Sequence, residues 1–239
     1  MNPDPNLTLG SLVAARPTRA RIFEEFKLDY CCRGHRTLAD ACERSGIDVQ
    51  RVLERLDEAE RPEPDAADVD WTREPLQRLV SHIVATHHTY LRDELPSLAA
   101  SLEKLRSVHG SSHPELLQVA TIFHALRLEL EAHMAKEENV LFPYCNEIES
   151  ATELPRFHCG TLANPIRVME HEHDIAGDAL RELRRLTNGY QPPADGCGTY
   201  RASFQRLAAL ESDLHQHIHL ENNILFPRVL EAEKRLAAG

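Results

Sequence analysis

Along most of the chain, apolar residues return every three or four positions, the spacing that lines one face of an α-helix. The apolar/polar alternation of a half-buried strand is almost absent, so an all-α fold is expected. Near the start, Leu9, Leu12 and Val13 share one such face, and Ile22, Phe23 and Phe26 another. Thr37 followed by Asp40 predicts a helix start, and Gly46 predicts its stop. Asp48 opens a further helix with Val49, Val52, Leu53 and Leu56 on one side. Together these predict a small helical domain over residues 1–60. Residues 61–70 (RPEPDAADVD) are polar, carry two prolines and keep no apolar period, so a linker is expected there. Residues 71–239 predict four long amphipathic helices, over about 73–106, 114–147, 163–187 and 197–236. Turn chemistry separates them at Gly110 to Pro114, Pro155 to Pro165, and Gly189 to Gly198. Four antiparallel helices with an apolar seam form a bundle.

The larger domain repeats itself. Residues 133–143 read HMAKEENVLFP and residues 217–227 read HIHLENNILFP, an offset of 217 − 133 = 84. The shared pattern, His-x3-Glu-x-Asn-x-Leu-Phe-Pro, sits in the second and the fourth helix. The domain therefore reads as two copies of a helix hairpin. A duplicated hairpin predicts matching positions in the first and third helices, and His88 and His173 are the natural pair. Periodicity supports that pairing. His88 lies in line with Val80, Val84, Leu91, Leu95 and Leu98, and His173 with Ile166, Met169, Ala176, Leu180 and Leu183. His133 and His217 fall on apolar stripes in the same way. Glu137 and Glu221 each follow their histidine by four residues, which makes them neighbours on one helix face, about 5–6 Å apart at Cβ.

Six polar groups at the centre of four apolar stripes are costly without partners, most of all the two carboxylates. They could satisfy one another as a buried His–Glu hydrogen-bond network. As a duplicated set they point instead to metal. Four imidazoles and two carboxylates are nitrogen and oxygen donors, whereas a structural zinc site takes four ligands, commonly thiolates. Six ligands suit two ions, each with two histidines, and two bridging carboxylates. Helical bundles hold paired irons with such side chains, so iron is expected over manganese or zinc. The predicted metal ligands are His88, His133, Glu137, His173, His217 and Glu221. A bridging oxide or hydroxide would leave about one position for a small ligand.

The remaining histidines read differently. His87, His171, His215 and His219 stand off the ligand faces and are expected to be non-ligands. His82, His109, His113, His124 and His158 are expected at the surface or behind the ligands. Glu129, four before His133, either hydrogen-bonds that ligand or is solvated. The Leu-Phe-Pro triplets are expected to end the helix turn and plug the bundle end. Cys31 and Cys32 sit in a turn-like stretch, Asp29 to His35. With Arg33 beside them they are either a reactive pair of lowered pKa or incidental half-buried thiols. Cys42, Cys145, Cys159 and Cys197 show no CxxC spacing and read as packing or loop residues.

Composition narrows the partners. The formal charge is 27 − 38 = −11, which argues against nucleic acid or an anionic membrane as a general partner. No apolar run approaches the roughly 18–20 residues of a membrane span. Met1 to Ser11 lacks the pattern of a secretory signal. Six cysteines, two of them adjacent, do not make a disulfide framework, so a reducing, cytoplasmic setting is expected. An acidic surface with exposed thiols would permit a homodimer without demanding one.

The stretch Asp29-Tyr30-Cys31-Cys32-Arg33-Gly34 followed by Thr37-Leu38, with HMAKEENVLFP, VMEHEHDIAG (168–177) and HIHLENNILFP, resembles the Repair of Iron Centres family from about Leu9 to Pro227. The resemblance implies a hemerythrin-like di-iron bundle. Its ligand pattern falls on the same six residues, with the two glutamates as bridges. It also implies repair of iron–sulfur clusters damaged by nitrosative or oxidative stress, and a thiol or delivery role for Cys31 and Cys32. Leu91 stands where some relatives carry a further, non-ligand histidine. The leading functional expectation is iron donation to damaged iron–sulfur proteins in transient encounters. The alternatives are a di-iron enzyme that reduces NO or handles nitrite, and a carrier or sensor of O2 or NO.

Overall fold

A computed structural model describes residues 3–59 and 69–238. The expected linker lies, apart from Val69 and Asp70, outside the described residues. Among these the fold is all-α, and the only extended pairing is an isolated bridge between Thr8 and Thr37. Four short helices come first: α1 (Leu9–Ala15), α2 (Arg19–Glu25), α3 (Leu38–Ser45) and α4 (Val49–Ala59). Four long helical stretches follow. The first is α5 (Leu76–Ile83), a π-helical turn (Val84–His88) and α6 (Thr89–His109). The second is α7 (Glu115–Lys136), a π turn (Glu137–Leu141) and α8 (Phe142–Ser150). The third is α9 (Ala163–Leu186), without a π turn. The fourth is α10 (Gly198–Leu220), a π turn (Glu221–Leu225) and α11 (Phe226–Ala238). The residues flanking each π turn are themselves in the right-handed helical region, so each stretch is one continuous helix.

The π turns correct the expectation for Leu-Phe-Pro, because the helices run on through Pro143 and Pro227. A proline inside an α-helix lacks the N–H its turn requires and clashes with the carbonyl four residues back. Those carbonyls belong to Asn139 and Asn223, each inside a π turn, where the wider backbone relieves the clash.

By packing, the chain forms two units, whose boundaries at 79/80 and 214/215 fall within α5 and α10. One unit comprises residues 80–147 and 155–214. Its core is one cluster drawn from four helices: Leu91, Leu95, Leu98, Leu102 and Leu105 of α6, Leu116 to Met134 of α7, Ala176, Leu180 and Leu183 of α9, and Tyr200 to Leu214 of α10. The three-and-four steps read from the sequence are thus the buried faces of four packed helices, with about 1.5–3 kcal/mol gained for each large side chain fully buried. Arg206 makes a two-pronged ion pair with Glu94 at 2.6 and 2.9 Å, tying α10 to α6. Asn188, Gly189 and Tyr190 all adopt positive φ after α9, turning the chain sharply towards α10.

The other unit comprises residues 3–79, 148–154 and 215–238. Leu9, Leu12, Ile22, Phe23, Leu38, Val52 and Leu56 build its core with Ile218. The caps follow the sequence signals. The Thr37 hydroxyl accepts from the Asp40 N–H at 3.2 Å, and Gly46 closes α3 at φ 65°. The first N–H groups of α5 are capped from outside, by Glu149 at 2.6 Å (Leu76) and 3.0 Å (Gln77). Asn223 is seated between two glycines. A Cβ at Gly10 or Gly34 would lie 2.3 or 2.2 Å from its Oδ1. Its Nδ2 donates to the carbonyls of Tyr30 and Cys31, both at 3.2 Å.

Candidate metal centre

Four of the six predicted ligands come together in the unit of residues 80–147 and 155–214. Glu137 is completely buried at the start of its π turn. Its Oε2 lies 3.4 Å from the Nε2 atoms of both His88 and His133. His173 Nε2 lies 3.1 Å from His133 Nε2, and the two rings are 4.7 Å apart. His133, Glu137 and His173 offer ligand atoms all within 4.8 Å of one another. All four side chains are buried. His88 also stacks on Phe142, with ring centroids 5.6 Å apart.

The outward nitrogens of two of these histidines are held by carboxylates from neighbouring helices. His88 Nδ1 lies 2.6 Å from Glu138 Oε1, and Glu138 pairs in turn with Arg92. His133 Nδ1 lies 2.8 Å from Glu172 Oε2, and Glu172 pairs with Lys136. Burial pushes both carboxyls up, but the bonds to His88 and Arg92, and to Lys136 and His133, hold them below the ordinary carboxylate value. A neutral imidazole that gives its Nδ1 proton to a carboxylate presents Nε2 as a lone pair. Two such lone pairs therefore face the Glu137 carboxylate, whose two oxygens have no hydrogen-bond partner. Acceptors facing acceptors in a dry interior repel unless a cation lies among them. The donor set fits a divalent transition metal of nitrogen and oxygen preference.

His217 and Glu221 belong to the other unit and sit one helical turn apart across the junction of α10 and its π turn. His217 Nε2 is 3.1 Å from Glu221 Oε1, and both side chains are buried.

His171 is exposed, and so are His124 and His158, while His82, His109 and His113 are partly covered. His87 is buried against Asp213, its Nδ1 2.9 Å from Oδ1. His219 is buried beside Tyr30, and burial lowers its pKa to about 4 against the smaller upward pull of the Tyr30 backbone. His215 lies 3.7 Å from Glu24. Glu129 is exposed, and the carboxylate that reaches His133 is Glu172. Glu138 and Glu172 are not legible from helical spacing, because their partners lie on other helices. Each does sit directly beside a predicted ligand, which was the available signal. Cys31 is buried. Its thiol is pushed well above the ordinary range by the Cys32 sulfur, by burial and by Asp29.

Beside the histidine pair opens a cavity of about 220 Å³, lined by Glu129, Lys136, His133, Glu172, His173 and Ile175 among others. His133 and His173 thus form part of its wall.

Two known protein families match parts of the chain. Residues 79–229 match the Hemerythrin HHE cation binding domain. Residues 5–60 match a Domain of Unknown function (DUF542). Over 228 residues the chain is 37% identical to the Iron-sulfur cluster repair protein YtfE of Yersinia pseudotuberculosis serotype IB (strain PB1/+), covering 95% of this chain and 98% of that protein. The protein of the same name from Yersinia pestis (strain Pestoides F) shows the same identity and coverage.

Proposed function

Since the chain belongs to the Repair of Iron Centres family of hemerythrin-domain proteins, we propose that it repairs damaged iron–sulfur clusters by means of a di-iron centre. In this reading His88, His133, Glu137, His173, His217 and Glu221 would hold the two irons, the imidazoles supplying nitrogen and the two carboxylates oxygen. Such a centre supplies exchangeable, redox-active iron with room for one small ligand. One observation carries the reading: a fully buried carboxylate, Glu137, whose two oxygens lack hydrogen-bond partners while Oε2 faces two imidazole nitrogens. A purely structural network would have been expected to satisfy that group.

The chain's own residues supply the rest. Glu138 and Glu172 fix the ring orientation and tautomer of His88 and His133, and Arg92 and Lys136 fix those carboxylates. Residues 1–60 act as a thiol-bearing accessory domain, joined through 61–70 to the metal-binding part at 71–239. The two family matches, 5–60 and 79–229, support that division. A cytoplasmic site of action is the setting that reduced paired thiols favour. Among the described residues no helix is long and apolar enough to cross a membrane.

The test begins with metal content and Mössbauer spectroscopy of protein expressed with iron-57. Two coupled irons per chain are expected. Glu137→Ala and Glu221→Ala should lower bound iron and weaken the coupling, whereas His171→Ala should do neither. Equal loss in all three would place the ligands on the wrong helix face. Purified di-iron protein should then restore activity to an iron-depleted cluster enzyme; failure where a simple ferrous salt succeeds would refute donation.

The cavity beside His133 and His173 favours a second reading, that the centre also takes NO. Stopped-flow consumption of NO with a defined product would make it an enzyme, and stoichiometric binding without turnover a binding site.

A further inference from the structure

The N-terminal unit holds another group of ligand atoms. Asp29, Cys31 and Cys32 each offer one, all within 4.8 Å of one another. Adjacent side chains point apart in strands and helices alike. Here a tight turn brings them together. Asp29 Oδ1 accepts from the N–H groups of Cys32 at 2.9 Å and Arg33 at 3.2 Å. From the other side Asn223 donates to the carbonyls of Tyr30 and Cys31, and Asn222 to that of Cys31 at 3.4 Å. With the backbone held at both ends, the turn sets the spacing of the two sulfurs.

That spacing is 3.8 Å. A disulfide needs about 2.05 Å. Two thiolates on one tetrahedral ion, each at about 2.3 Å, stand about 3.8 Å apart, the edge of the tetrahedron. The Asp29 carboxylate, 3.4 Å from the Cys31 sulfur, adds a third donor on the same side.

We propose that Asp29, Cys31 and Cys32 bind one thiophilic divalent cation of the ferrous or zinc class, leaving its fourth position to a donor from outside the chain. Binding releases two protons, one from each thiol, as two metal–sulfur bonds form. Asp29, Cys31 and Cys32 provide three ligands, where a structural zinc site closes with four. Cys31 is buried, while Cys32 and Asp29 are partly exposed, so an incoming thiolate approaches from the Cys32 side. The three influences that keep the Cys31 proton in place, a second sulfur, burial and a carboxylate, are those a bound cation offsets. Binding stands independently of the di-iron centre; use of the open position to pass metal to a damaged cluster rests on the repair reading.

The experiment takes the full chain, already loaded with iron and kept reduced under anaerobic conditions, and titrates it with cadmium. Cadmium bound to thiolate absorbs in the ultraviolet by charge transfer. One equivalent beyond the iron is expected, with that absorption and the release of two protons. Cys31→Ser and Cys32→Ser should abolish the band with helicity and iron content unchanged. If the buried Cys31 variant fails to fold, the Cys32 variant decides. Asp29→Asn keeps an oxygen to accept the two N–H groups, yet should weaken binding by about tenfold or more, no less than the loss of an outer partner costs. Cys42→Ser should leave the band intact. No thiolate band, a band indifferent to Asp29→Asn, or one that survives Cys32→Ser would overturn the proposal. Iron content is read in the same samples, so failure of the di-iron reading would show as missing iron whatever the band does.

Discussion

Replacing Glu137 by Gln separates a metal site from a hydrogen-bond network by the sign of its effect. The carboxylate is fully buried and its oxygens lack hydrogen-bond partners. An uncompensated buried charge destabilises by about 3–5 kcal/mol. An amide of the same shape carries no charge and leaves about 1–2 kcal/mol for whichever of its atoms stay unpartnered. Its N–H groups also gain acceptors, since imidazole nitrogens of His88 and His133 lie 3.4 Å from Oε2. The chelated, metal-free variant should therefore be more stable than its parent by about 1–4 kcal/mol. For a chain of 239 residues, at about 2–4 °C per kcal/mol, Tm should rise by about 2–16 °C. In the iron-loaded protein the order should reverse, because the amide is a poor bridge and metal binding no longer adds as much to folding. Thermal melts followed by circular dichroism, on chelated and iron-loaded samples of both proteins, read the crossover. A variant less stable than its parent by the same amount in both states would refute the reasoning and favour a structural His–Glu network.

Glu138→Gln and Glu172→Gln should each weaken iron retention by about 10–100-fold in chelator competition, with the six ligands intact. Both carboxyls are held below their ordinary value, so the stability they give the metal-free protein is complete above that value of 4.5 and is lost as pH falls through the lower folded values. The double Gln variant should accordingly lose less stability than the parent over that acid range, as read by melts at stepped pH. Gly10→Ala places a methyl against the pinned Asn223 and should cost about 1–3 kcal/mol in denaturant titrations. With Asn223→Ala beside it the two losses should fall short of their sum by about 1 kcal/mol, and strict additivity would count against the contact. Thr37→Ala, which removes the α3 cap, should cost about 1 kcal/mol, and Thr37→Ser much less.

What could be read in advance was whatever a single helix displays on its own. The stripe from Leu91 to Leu105, the cap at Thr37 and the stop at Gly46 are local patterns, and each is where periodicity and turn chemistry put it. The duplicated His-x3-Glu motif singled out the candidate ligands because repetition turns two weak signals into one strong one. Relations between helices were out of reach. The pairing of Glu138 with His88 and of Glu172 with His133 depends on which faces meet, and spacing along one helix points only to Glu129, which is exposed. A proline looks the same in sequence whether the backbone breaks or widens around it, so the helix through Pro143 is visible only in the structure. The same is true of Asn223. Its motif twin Asn139 donates to its own helix at the Ala135 carbonyl, and nothing in the shared motif says that Asn223 grips the turn of Cys31.

The π turns also follow the repeat. Those at 137–141 and 221–225 stand 84 residues apart, the same offset as the motif itself. A π turn closes its hydrogen bonds five residues on instead of four, so the helix widens there. Its presence at the same place in both copies makes it a property of the shared motif rather than of either copy alone. The turn at 84–88 has no counterpart in α9, which is regular throughout. The two halves thus match at their second helices and differ at their first, and since His88 and His173 stand 85 residues apart, laying one half on the other leaves one unmatched residue between His88 and His133.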